Sequence, residues 1–127
     1  MSLSRDECIE LIEERYFGSV TRGNIDAALT CFTPDAVITI RHGDSPPRTF
    51  KAGGEGADAL RGFLEHLLAN YEPSFTDFIH YVDTENRRCA SRFTVSLTPR
   101  PDSAYAAAGA QELKNCNFLP IPARGAA

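Results

Sequence analysis

Apolar positions near the start of the chain recur with a helical period. Ile9, Ile12, Tyr16 and Val20 form a stripe, and Leu11 and Phe17 widen it. Ser4 and Glu7 stand three residues apart just ahead of the stripe. At that spacing a hydroxyl and a carboxylate can satisfy free N–H groups at a helix start. Arg22-Gly23 predicts the stop. Asn24 predicts the cap of a shorter second helix, with Ile25, Ala28, Leu29 and Phe32 on one face and Pro34 ending it. Val37, Ile38, Thr39 and Ile40 in succession predict a strand over 36–41. Gly43, Pro46, Pro47, Gly53 and Gly54 predict a loop over 42–54, with a short strand near 48–51. Leu60, Phe63, Leu64, Leu67, Leu68 and Tyr71 predict a third helix over 55–71. After Pro73 the period changes to two. Segments 75–83 and 88–98 alternate, and a turn over 84–87 predicts that they pair as a hairpin. The alanine-rich stretch 99–109 predicts a loop and 112–119 a further strand. Three helices followed by an antiparallel sheet define an α+β fold.

The length of 127 residues suits one domain over 1–127. No run of about 18 apolar residues is present, so no membrane span is expected. No leader pattern opens the chain, and Cys8, Cys31, Cys89 and Cys116 are far apart. Together these predict reduced, buried thiols in a cytoplasmic protein. Thirteen basic residues are scattered among 17 acidic ones, for a net charge of −4. A duplex-binding surface needs a cationic stripe, so nucleic acid is not an expected partner. His42, His66 and His80 are dispersed too, so neither a metal nor a cofactor is assigned.

The string RYFGSVTRGNIDAALTCFTPDAV, residues 15–37, carries an aromatic late in the first helix. Gly-Asn-Ile-Asp-Ala follows, then an aromatic before Asp-Ala and a strand. In this the chain resembles the nuclear transport factor 2-like superfamily, also called SnoaL-like. The hairpin and the ELKNCNFLPI strand fit more loosely. The resemblance implies a cone, in which a curved antiparallel sheet wraps the three helices and leaves an apolar pocket at its open end. It implies a small hydrophobic ligand and a homodimer formed through the outer sheet face. The implied activity is cofactor-independent acid–base chemistry on a small apolar carbonyl compound, of isomerase, dehydratase or polyketide-cyclase type. The alternative is a non-catalytic dimeric module of the same fold that binds a small ligand or a protein. Where the family continues into a turn and a last strand, this chain has Pro120-Ile-Pro after Leu119, so that strand is expected to be missing or altered.

Tyr16 matches the first-helix tyrosine that ketosteroid isomerases use as an oxyanion donor. The base of those isomerases lies five residues past Asp35, where this chain has Ile40, and an aliphatic side chain cannot move a proton. Phe32 and Leu64 stand where those enzymes place tyrosines. Steroid isomerisation as such is therefore not implied. His42 shares a strand face with Ile40 by alternation and is a candidate base. Asp77 and His80 occupy opposite faces of the 75–83 strand. The family register favours Phe75, Asp77, Ile79 and Tyr81 inward, which makes Asp77 a pocket carboxylate. The reverse register makes His80 the pocket group. Ser91 and Phe93 belong to the implied inner row. Phe32, Ile40, Phe63, Asn115 and Asn117 complete the expected ligand-binding set.

Overall fold

The computed structural model describes residues 3–33, 36–42, 45–51 and 55–120. The first helix, α1, runs without a break through an α-helical segment Arg5–Glu10, a π-helical segment Leu11–Phe17 and an α-helical segment Gly18–Thr21. Its start is the expected capping box. Glu7 N–H donates to Ser4 Oγ at 3.2 Å, and Ser4 N–H donates to Glu7 Oε1 at 3.1 Å. The π segment was not expected, and packing explains it. The buried residues Leu11, Ile12, Tyr16 and Phe17 fall into two pairs five apart, a spacing that a π turn brings onto one face. Asn24 caps α2 (Ile25–Leu29), its Oδ1 accepting from Ala27 N–H at 3.1 Å. Pro34 and Asp35 lie outside the described residues.

Five antiparallel strands follow around α3 (Glu55–Asn70): β1 (Val37–His42), β2 (Arg48–Lys51), β3 (Tyr71–Asp83), β4 (Arg88–Pro99) and β5 (Gln111–Pro120). The sheet order is β2-β1-β5-β4-β3, so α3 carries the chain from one edge to the other. The helices pack on the inner face, where Ile38, Ile40, Phe50, Phe93, Val95 and Leu97 join Leu11, Phe17, Val20, Leu60 and Leu64 in the core. This is the α+β architecture of the nuclear transport factor 2-like cone. Residues 121–127, where the sequence predicts an altered end, lie outside the described residues.

Two departures from the expected elements have physical causes. β3 begins at Tyr71 rather than Phe75, with Pro73 paired to Leu97. Proline offers no N–H to a ladder, and β3 tolerates it because it is an edge strand. The strict alternation of β3 also fails. Thr76 pairs with Thr94 and Ile79 with Arg92, so Asp77 and Phe78 together oppose the single residue Phe93. That is a β-bulge, and Asp77 takes φ 58° to make it. Phe75 is therefore inward ahead of the bulge, and Phe78, His80 and Val82 are inward after it. Ile79 and Tyr81, 52% and 55% exposed, face outward. Neither of the two expected faces survives whole.

Candidate functional site

A narrow pocket of about 410 Å³, open mouth included, lies between the helices and the inner face of the sheet. α1 contributes Tyr16, Phe17 and Val20, and α3 contributes Phe63, Leu64 and Leu67. The sheet adds Ile40, Phe75, Phe93 and Val95, with Asn115 and Asn117 as its polar members. An apolar lining with a few polar groups is the composition of a small-molecule site.

Tyr16 is buried, with its ring edge-on to Phe17 at 4.8 Å and to Phe32 at 5.2 Å. Burial first, and nearby Cys31 second, push the phenol above its ordinary value, so it remains a neutral O–H donor at any working pH. Asn117 is 2% exposed, and its Oδ1 has no hydrogen-bond partner within the protein. An unmatched buried acceptor carries a desolvation cost, on the order of 1–3 kcal/mol. Replacing it by a similarly branched apolar residue removes that cost. Asn117→Leu is expected to raise the denaturation free energy by about 1 kcal/mol while weakening capture of any ligand that donates to Oδ1 by roughly fivefold. Urea unfolding and a binding titration read the two effects together. A destabilised variant with unchanged binding would show that Oδ1 is not a ligand acceptor.

The other sequence candidates are distributed differently. Asp77 is exposed at the bulge and does not line the pocket, because its left-handed backbone turns the strand over at that position. Its expected place as a pocket carboxylate is therefore wrong. Ser91 is fully buried and Phe32 packs on Tyr16, but neither touches the pocket. Phe63 and Phe93 do line it, as does Ile40. The His42 backbone pairs with Asn115, and the His42 side chain lies outside the described residues. His66 is on the exposed side of α3. Cys8, Cys31 and Cys89 are buried as expected, whereas Cys116 is only half-buried on the outer face. Burial pushes all four thiols up, which leaves them protonated and poor nucleophiles at neutral pH. Among the described residues no group of His, Cys, Asp or Glu could hold a metal ion, and no helix is long and apolar enough to cross a membrane.

His80 is inward and makes two short contacts. Its Nε2 lies 2.7 Å from Glu13 Oε2 on α1, and its Nδ1 lies 2.8 Å from Ser91 Oγ on β4. Only 5% of the His80 side chain is exposed, against 34% for Glu13. Sequence reading missed Glu13 altogether. It sits 67 residues before His80, in the π segment and beside the apolar stripe, where it looks like any solvated helix residue.

A family model for the SnoaL-like domain matches residues 14–118. No curated protein matches the chain. Several solved structures do. A candidate polyketide cyclase from Xanthomonas campestris pv. campestris is 17% identical with a TM-score of 0.66, over 93% of this chain and 83% of that one. One from Pseudomonas putida is 20% identical with a TM-score of 0.63, over 89% and 80%. One from a Silicibacter species is 20% identical with a TM-score of 0.64, over 94% and 83%. At such identities the likeness is one of fold.

Proposed function

The chain belongs to the SnoaL-like domain family, and from that footing we propose a cofactor-independent acid–base enzyme of isomerase, dehydratase or polyketide-cyclase type. Its substrate is a small apolar carbonyl compound. The observation that carries this reading is the unmatched Asn117 Oδ1 in an apolar pocket that also holds Tyr16. Tyr16 supplies a donor and Asn117 an acceptor. A ketone offers the complement in turn: its C=O for the phenol, and the O–H of its enol for the amide. In a water-poor site these poles stabilise the enol more than water does. Solved structures of candidate polyketide cyclases with this fold support the same reaction class.

The proton acceptor is assigned to His42, whose register position is opposite Asn115. The exposed outer residues Val37, Ile79 and Tyr81 support a homodimer through that sheet face. The free, mostly buried thiols suit a reducing compartment, and we place the protein in the cytoplasm. One observation favours the second reading, a non-catalytic binding module. Among the described pocket-lining residues only Tyr16 carries an ionisable group.

Deuterium exchange from solvent into 2-tetralone, followed by proton NMR, separates the two. Exchange accelerated over buffer by the full-length protein supports the enzyme. Saturable binding of 2-naphthol without acceleration supports the module. Neither effect removes both.

A further inference from the structure

The edge strand β2 points one charged side chain toward the inside of the cone. Ile40 on β1 pairs with Arg48 on one side and with Asn117 of β5 on the other. Residues paired directly across strands share a sheet face, so Arg48, Ile40 and Asn117 form one row on the inner face. Phe50, two residues after Arg48, is buried on that face. Thr49, between them, points outward, where its hydroxyl lies 3.3 Å from that of Thr39. The row thus carries a cation at the sheet edge, an apolar floor and the unmatched acceptor. Its ends are two strand spacings, about 10 Å, apart.

Two rings fix where the charge sits. Arg48 Cζ lies 5.1 Å from the centroid of Phe50 and 5.2 Å from that of Phe63, a distance at which an aromatic face attracts a cation. Phe63 is itself a wall of the pocket. Of the lining residues, Phe63, Leu67 and Phe75 are half-buried and the rest are buried, so Phe63 stands at the mouth. Ring contacts satisfy none of the five guanidinium N–H donors. Among the described residues Arg61 and Arg100 each pair with a carboxylate, and Arg48 does not.

We infer that Arg48 sets the specificity of the pocket, and that the ligand it selects is a carbonyl compound bearing a carboxylate on the end of its apolar body away from Asn117. This rests on the proposed reading of the pocket as a site for a small apolar carbonyl compound. The planar fork of a guanidinium matches a carboxylate through two parallel hydrogen bonds. The chain as a whole carries a net charge of −4, which repels an anion. Attraction of a carboxylate therefore needs a local cation, and Arg48 supplies one in the same row as the acceptor that holds the ligand's other end.

The test compares 6-hydroxy-2-naphthoate, which has a hydroxyl at one end and a carboxylate at the other, with 6-hydroxy-2-naphthamide, its uncharged counterpart of the same shape. Fluorescence titration of the full-length protein at low salt reads both, with 2-naphthol as the probe of the pocket alone. The wild-type protein is expected to bind the carboxylate roughly fivefold more tightly than the amide, the worth of a charge-assisted hydrogen bond discounted for an open mouth. In Arg48→Met the preference is expected to fall to about one, with 2-naphthol affinity within about twofold of wild type. Arg61→Met makes the same change in net charge on α3, where Arg61 pairs with Asp26, and is expected to keep the preference. A role for Arg48 confined to guarding the β2 edge against another strand would leave the preference of Arg48→Met unchanged, which overturns the inference. Loss of the preference in Arg61→Met as well overturns it too, by assigning the effect to the general field. A wild-type protein that binds 2-naphthol but shows no preference overturns the inference and leaves the pocket reading standing. One that binds none of the three probes overturns the pocket reading and the inference with it.

Discussion

Phe17→Ala is expected to lower the free energy of unfolding by about 3–5 kcal/mol, the cost of emptying a large aromatic site in a packed core. Phe17 is 4% exposed, and four rings close on it: Phe75 at 4.7 Å, Tyr16 and Phe93 each at 4.8 Å, and Phe78 at 5.4 Å. Those rings come from α1, β3 and β4, so the residue ties the first helix to the hairpin on both sides of the bulge. Typical domains are stable by about 5–15 kcal/mol, so a loss of this size leaves little reserve. Urea denaturation followed by far-UV circular dichroism measures it. A loss under about 1 kcal/mol would mean that the surrounding rings collapse into the space and that the cluster is not what joins helix to sheet.

The second large effect concerns chemistry rather than stability. If wild-type protein accelerates exchange into 2-tetralone, Tyr16→Phe is expected to slow that exchange by roughly a hundredfold, the usual cost of losing one oxyanion donor. Phenylalanine keeps the ring contacts to Phe17 and Phe32, so unfolding should change little. Burial holds the Tyr16 phenol above its ordinary pKa, so the wild-type rate should show no fall from tyrosine ionisation in mildly alkaline buffer. An unchanged rate in Tyr16→Phe would assign the carbonyl contact to another group.

What the sequence made legible was local. Ser4 with Glu7, and Asn24, announce their helix starts because a cap needs only the next three residues. The four-residue strand Arg48–Lys51 stood out against its prolines and glycines. The strand beginning at Tyr71 was hidden by Pro73, whose presence makes sense only once β3 is known to be an edge. The bulge was invisible because Asp77 is not a glycine, the residue that usually marks a left-handed position. Reading an uninterrupted alternation through it put Asp77 in the pocket and offered His80 only as the alternative. The π segment had a faint trace, the five-residue steps from Leu11 to Tyr16 and from Ile12 to Phe17. Glu13 had none, since its partner is distant in sequence. Tyr16, Asn115 and Asn117, each singled out in the sequence, line one pocket. The unmatched oxygen among them could be found only from packing.

A crystal structure of the protein soaked with 2-naphthol puts the question most directly. The hydroxyl is expected within hydrogen-bonding distance of Asn117 Oδ1, with the ring system against Phe63 and Phe93. A pocket closed by those side chains, or the probe bound elsewhere with Oδ1 still unpaired, would contradict a ligand site built around that oxygen.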